Sequence, residues 1–396
     1  MRRTCSSSYG RRNDDRPAAR SDLRVMLLVP SLASGGAERV TSVLAARWLE
    51  QGWDVMVATL SSEADDAYHL EPRVRRLALD LIGVSTSMLS ALFANWRRVR
   101  AVRRAISEHR PDVVLAMMSS TCVLLALARR GKQGPMLIGS ERVYPPQMPL
   151  GRAWEALRAC SYSRLDVVVG QTARAKAWLE SHTTARRVVV IPNAVAWPLP
   201  DSGAAIAPGS VGGSGRRRLL AVGRLDRQKG FDRLIEAFAA VAASHLHWDL
   251  VIVGEGPERA ELESQIRHAG VAGRAWLPGR AGNLAEWYAT ADLFALSSRF
   301  EGFPNVLLEA MSHGLPAVAF DCEAGPAEII RSGVDGRLVP DGDIAAFGVA
   351  LSALMSDDAR RATMSARALE VRERFSMEAV LEQWRALLTE RAKVDV

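Results

Sequence analysis

The chain has 396 residues, 48% of them hydrophobic, which is ample for two buried cores and a tail. Its net charge of +7 invites a polyanion or an anionic membrane as partner, but no zinc-finger spacing occurs and only 6% of residues are aromatic, so no nucleic acid is expected. The four cysteines (Cys5, Cys122, Cys160, Cys322) are scattered, which disfavours a disulfide framework and favours a reduced, cytosolic setting.

In chain order, residues 1–22 are polar, lack the apolar stretch of a secretory signal and read as a disordered tail. Buried-strand runs then alternate with helical patterns: LRVMLLVPSL from Leu23, a turn at Gly35-Gly36, a helix over Glu38–Gln51, then DVMVATL, VRRLALDL, DVVLAMM, MLIGSER, DVVVGQ and RVVVIPN. That is a doubly wound parallel sheet over residues 23–196. Residues 197–216, rich in Pro, Gly, Ala and Ser, have the composition of a flexible linker. A second alternation fills 217–375, with strands at RRLLAVGRL, WDLVIVGEG, RAWLPGR, LFALSS and PAVAF. An amphipathic helix with Trp384 occupies the final stretch, 376–396. No run reaches the ~20 apolar residues of a membrane helix.

Two stretches carry chemistry. EGFPNVLLEA, from Glu301, has two carboxylates around a Gly-Phe-Pro-Asn turn. Pro304 suits the first turn of a helix. The amides at Gly302, Phe303, Pro304 and Asn305 then lie at a helix N-terminus, a natural seat for phosphate. Glu301 and Glu309 are placed to accept hydrogen bonds from sugar hydroxyls. AVGRLDRQKGFDRLIEAF runs from a strand into a loop with Arg224, Arg227 and Lys229, a suitable diphosphate clamp. Amides for phosphate and carboxylates for hydroxyls together suit a nucleotide-sugar.

These motifs, with GGAERV (35–40), IPNAV (191–195) and GLPAVAFDCEAGPAEII in the same order, resemble the retaining glycosyltransferases of family 4, built from two facing Rossmann-like domains in the GT-B fold. SERVYP (140–145) is similar to enzymes that extend lipid-linked glycans or exopolysaccharide repeats. The resemblance implies that Arg224, Lys229 and Glu301 are catalytic, the two cations on the pyrophosphate and the carboxylate on the donor sugar. It implies substrate contacts at Gly35, Gly36, Gly302, Phe303, Pro304 and Asn305, a base contact at Arg280 and a ribose contact at Glu309. It further implies a C-terminal helix crossing back to the first domain, no cofactor and no metal. The partners it implies are a nucleoside-diphosphate sugar (UDP above other bases) and a polyprenyl-diphosphate-linked acceptor at the cytoplasmic face of the membrane.

Where many relatives carry a histidine, this chain has Ser119 and Ser120, so Glu141 and Arg142 become candidates for lining the cleft from the first domain. Asp341-Gly342-Asp343 has a metal-binding form but follows Val-Pro and reads as a turn. FANWRRVRAVRRAISEHR, residues 93–110, reads as a basic amphipathic helix, with Phe93, Trp96, Val99, Val102 and Ile106 on one face and arginines for an anionic membrane surface. A GT-B UDP-sugar epimerase and a catalytically silent nucleotide-sugar or membrane scaffold are the alternatives. A glycosidase has no use for the basic clamp, and a nicotinamide oxidoreductase wants a Gly-x-Gly-x-x-Gly that SLASGGAER does not supply.

Overall fold

A computed structural model describes residues 23–33, 35–83, 87–131 and 133–390. The expectation of a disordered tail at 1–22 lies outside them. The first sheet contains β1 (Arg24–Val29), β2 (Asp54–Thr59), β3 (Arg75–Ala78), β4 (Val113–Met117), β5 (Met136–Ser140), β6 (Val167–Gly170) and β7 (Val188–Val190). Its order is β3-β2-β1-β4-β5-β6-β7, parallel throughout. Helices α1 (Gly36–Glu50), α2 (Met88–His109), α3 (Ser119–Ala128), α4 (Arg152–Ser161) and α5 (Ala173–His182) cover its faces. Burial on both faces is why these strands read as unbroken apolar runs: every residue from Val25 to Val29 and from Val113 to Met117 is buried.

The second sheet is built from β8 (Arg217–Val222), β9 (Trp248–Val253), β10 (Ala275–Gly279), β11 (Leu293–Leu296), β12 (Ala317–Asp321) and β13 (Gly336–Pro340). Its order is β10-β9-β8-β11-β12-β13, again all parallel. Its helices are α6 (Phe231–Ala242), α7 (Arg259–His268), α8 (Leu284–Ala289), α9 (Asn305–Ser312), α10 (Pro326–Ile329), α11 (Ile344–Ser356), α12 (Asp358–Ala368) and α13 (Val371–Arg374). In α6, Phe231, Leu234, Ile235 and Phe238 recur at helical spacing and all are buried against the sheet. In both sheets the strand order reverses beside the first strand, between β1 and β4 and between β8 and β11. Such a reversal opens a crevice at the carboxyl ends of the strands. The loops after β1, β4, β8 and β11 carry the residues discussed below.

Two features depart from the sequence reading. Strand β13 was not expected: GRLVP is short, bounded by Gly336 and Pro340, and lies at a sheet edge where proline is tolerated. The linker, 197–216, is packed rather than loose. Leu199 is buried, Ile206 exchanges backbone–amide hydrogen bonds with Asn283 at 3.0 and 3.1 Å, and Asp249 accepts from the Gly213 amide at 3.0 Å. Its Gly and Ser residues serve tight turns on the second domain. The Asp341–Asp343 turn is as expected, and each acid has a structural partner: Asp343 caps α11 through the Ala346 amide at 2.9 Å, and Asp341 pairs with Arg233 at 3.0 Å.

The last helix, α14 (Met377–Thr389), crosses back to the first domain. Val380, Leu381, Trp384, Leu387 and Leu388 join the core formed by α1 and the first sheet. Trp384 meets Trp48 edge-on at 6.0 Å, a favoured aromatic geometry.

Candidate active site in the interdomain cleft

In the second domain, the loops after β8 and β11 form one unit. The Arg299 amide donates to the Gln228 carbonyl at 2.8 Å, the Gln228 side chain returns a bond to the Phe300 carbonyl at 3.1 Å, and Ser297 Oγ donates to the Lys229 carbonyl at 2.9 Å. Gly230 holds φ +62°, and a Cβ there would strike the Ser297 carbonyl, so glycine is required on both counts. Gly254 and Gly256 likewise let the loop after β9 lie directly on the backbone of Gly223 and Leu225. The result is a stiff platform that carries Lys229 to Glu301. Their Nζ–Oε1 distance is 2.7 Å, and Ser298 Oγ donates to the same carboxylate oxygen at 2.6 Å. Glu301 is buried, so its negative charge is held by one cation and one hydroxyl.

Arg224, expected beside Lys229, is placed differently. Its side chain is 70% exposed and its guanidinium bonds Asp226. Arg280 is also exposed, at the loop after β10. Among the described residues neither makes a hydrogen bond or ion pair with Glu301 or the tip of α9.

That tip is where the two domains meet. Pro304 is the N-cap of α9, so the helix starts one residue later than expected, and no side chain caps its first amides. Phe303 is buried against Phe375. One turn along, Glu309 is buried and accepts from Arg39 Nη2 at 2.7 Å and from the Tyr288 hydroxyl at 3.1 Å. Burial, with the Glu309 charge beside it, raises the Tyr288 phenol well above its ordinary range. Arg39 lies on α1 in the first domain, so this ion pair spans the cleft.

From the first domain the glycine turn approaches the same tip. Gly35 has φ +148°, and a Cβ on Gly36 would come within 3.7 Å of Asn305 Nδ2. Asn193 donates to Asn305 Oδ1 at 2.7 Å, while its own Oδ1 accepts from Arg142 and, at 2.8 Å, from Gln171. Gly302 lies against the first domain's backbone: a Cβ there would sit 2.5 Å from the Arg142 carbonyl and 3.0 Å from Gln171 Oε1. Gly35, Gly36, Arg142, Gly302, Phe303, Pro304, Asn305 and Glu309 therefore gather at one seam, with Lys229 and Glu301 beside it.

Glu141 does not line the cleft. It is buried inside the first domain, where it accepts from Ser119 and from the Tyr162 hydroxyl. Burial raises its carboxyl above the usual range despite those two donors. The chain geometry explains the placement: Met118, at φ +80°, turns the strand end so that Ser119 starts α3 with its hydroxyl toward Glu141. Ser120 is half-buried beside it. Sequence reasoning passed over Arg39, Gln171, Asn193 and Tyr288. Arg39 and Asn193 stood inside the quoted GGAERV and IPNAV stretches, and that was the available signal.

Helix α2 is two-faced in a way the periodicity did not separate. Val102 is buried and Val99 and Ile106 pack on the first domain, but Leu89, Leu92, Phe93 and Trp96 are exposed. Phe93 stacks on Trp96 at 5.9 Å and Arg100 sits over the Trp96 ring at 5.1 Å. Arg103 donates to the carbonyls of Leu127 and Ala128, and Arg98 to that of Leu81, so these two arginines brace the fold. Among the described residues no helix is long and apolar enough to cross a membrane.

The family model Glycosyltransferase Family 4 matches residues 34–196, and Glycosyl transferases group 1 matches residues 216–357. The amylovoran biosynthesis glycosyltransferase AmsD of Erwinia amylovora is 28% identical over 92% of this chain and 99% of its own length. A Campylobacter jejuni α-1,4-N-acetyl-D-galactosaminyltransferase, named for a PP-undecaprenol-linked glycan, is 24% identical over 93% of this chain and 99% of its own length. An exopolysaccharide phosphotransferase of Streptomyces coelicolor is 38% identical over 57% of this chain, which spans only 23% of that longer protein. In structure, Anabaena HepE in complex with UDP superposes with a TM-score of 0.75 at 20% identity, covering 93% of this chain and all of the other. Two parallel-sheet domains, the domain-spanning last helix and the matches to both halves make one statement: the chain belongs to the family-4 glycosyltransferases of the GT-B fold.

Proposed function

We propose that the enzyme is a retaining transferase that moves a hexose or N-acetylhexosamine from a nucleoside-diphosphate sugar to a hydroxyl of a lipid-linked glycan or exopolysaccharide precursor. The observation that carries this reading is Lys229 fixed 2.7 Å from Glu301, next to the uncapped tip of α9. Lys229 offers charge to the departing diphosphate, Glu301 accepts from donor-sugar hydroxyls, and the α9 amides take phosphoryl oxygens. The acceptor hydroxyl oxygen bonds to the anomeric carbon as the bond from that carbon to the diphosphate breaks. The acceptor's proton passes to the leaving diphosphate on the same face, so no protein nucleophile is needed and configuration is kept. No metal is expected for this step, with Lys229 and the α9 amides taking the developing charge. UDP is the favoured nucleotide on the likeness to the UDP-bound HepE structure. A diphosphate-linked lipid acceptor is supported by the name of the Campylobacter relative.

Arg224 keeps a place as a mobile cation that reaches the diphosphate by leaving Asp226, and Arg280 as a contact to the base. Glu309 takes the ribose hydroxyls, in competition with Arg39. The exposed end of α2, with Leu92, Phe93 and Trp96 beside Arg97 and Arg100, seats the enzyme on an anionic membrane at its cytoplasmic face.

The test is a nucleotide-sugar panel read by release of free nucleoside diphosphate, with and without lipid-linked acceptor. Glu301→Ala and Lys229→Ala should each lower turnover by at least ~100-fold, the scale of losing one preorganised electrostatic group, while nucleotide binding weakens only modestly. Near-normal turnover in either variant would overturn the assigned roles.

A further inference from the structure

Three arginines of the described chain are buried, and two have a carboxylate: Arg158 pairs with Glu155, and Arg361 with Asp358. Arg142, only 7% exposed, has none among the described residues. Among the described residues its side chain has one hydrogen bond, to the neutral amide oxygen Asn193 Oδ1, and its Nε is buried without a partner. Burial holds the guanidinium's pKa down to about 10. A buried cation without a counter-charge is expensive and calls for an anion.

The position of Arg142 says which anion. Asn193, which it holds, also holds Asn305, the first residue of α9, whose leading amides have no side-chain cap. Arg142, Asn193 and Asn305 border one cavity together with Arg39 and Glu309. The Arg142 carbonyl lies against Gly302, the residue after Glu301. An anionic group at the Asn305 end of this cavity therefore meets the Arg142 guanidinium from the first domain and the start of α9 from the second, on the side away from the Arg39–Glu309 pair. Both favour a phosphoryl group over a carboxylate, since its tetrahedral oxygens engage both at once. We propose that Arg142 is the first domain's cation for the terminal phosphoryl group of the donor diphosphate, engaged when the two domains are closed on each other. It rests on the nucleotide-sugar reading of the same cleft and adds a residue that only the closed enzyme presents.

The experiment is calorimetric titration of the full chain with UDP and UMP, and with GDP and GMP, for wild type, Arg142→Gln, Arg142→Lys and Lys229→Ala. Arg142→Gln should lower diphosphate affinity about tenfold, the scale of one charge-assisted hydrogen bond, and leave monophosphate affinity unchanged. Arg142→Lys should recover part of the loss. A merely structural role would lower both affinities together or shift only the melting midpoint. If Arg142→Gln keeps the wild-type ratio of diphosphate to monophosphate affinity while Lys229→Ala lowers that ratio, this proposal falls and the functional reading stands. If neither variant changes the ratio, or no nucleotide binds, both fall. Should Arg142→Gln fail to fold, an unchanged ratio in Arg142→Lys decides against the proposal.

Discussion

Glu141 illustrates how far one residue's role depends on what surrounds it. As a sequence letter beside Arg142 it reads as a cleft carboxylate; in the fold it is enclosed, with Ser119 and Tyr162 donating to it. Its carboxyl pKa is raised, so the folded state holds the proton more tightly than the unfolded chain does. The sign follows from linkage: its favourable contribution is complete below the unfolded carboxylate value and fades as pH rises through the raised one. Glu141→Gln removes that dependence. The variant should therefore compare better with wild type at pH 8 than at pH 5 when thermal midpoints are measured across the range. A constant difference between the two proteins would mean that Glu141 titrates as an ordinary carboxylate. Burial is the leading cause of the raised value, and the Met118 turn that brings Ser119 to Glu141 is a backbone event that no local pattern announces.

At the level of elements, strands and helices were legible wherever one environment acts along a whole segment. The apolar runs of β1 and β4 and the spacing of Phe231, Leu234, Ile235 and Phe238 are such cases. Segments that change environment partway were not. Helix α2 is supported through Val99, Val102 and Ile106 and unsupported through Leu89, Leu92, Phe93 and Trp96, yet both sets fall near one helical period. The difference matters for testing membrane binding. Replacing Arg98 or Arg103 also removes bonds to the carbonyls of Leu81, Leu127 and Ala128 and should lower stability. The exposed end is the cleaner target. Leu92→Ser, Phe93→Ser and Trp96→Ser together should abolish flotation with phosphatidylglycerol vesicles and leave the melting midpoint within a few degrees, since these side chains are solvated. Arg97→Ser with Arg100→Ser should weaken binding by ~2 kcal/mol at low salt, about one per charge, and less at high salt. Flotation unaltered in the triple variant would remove α2 from the membrane.

For the molecule as a whole, function lies in contacts between residues remote in sequence. The Arg39–Glu309 pair spans 270 positions and the Asn193–Asn305 bond 112. At the far side of the seam, Glu328 caps the Ala173 amide at 2.7 Å and Gln147 donates to Glu323 at 2.8 Å. Motifs named the participants from each domain, but nothing in a strand or helix period tells which residues will face one another across a cleft. Gly302 is where that closure can be tested with one atom. Its neighbours across the seam are backbone and a buried amide rather than a flexible chain end, so the added methyl of Gly302→Ala, 2.5 Å from the Arg142 carbonyl, has no soft neighbour to displace. The domains must then stand apart by a fraction of an ångström to about one ångström, a misplacement that lowers rates by about 100-fold when reacting groups are shared between two bodies. Each domain's core is untouched, so the melting midpoint and UMP affinity on the second domain should stay near wild type, while UDP affinity loses what Arg142 adds and turnover drops. Turnover within threefold of wild type would show that catalysis does not need Gly302 seated on the first domain.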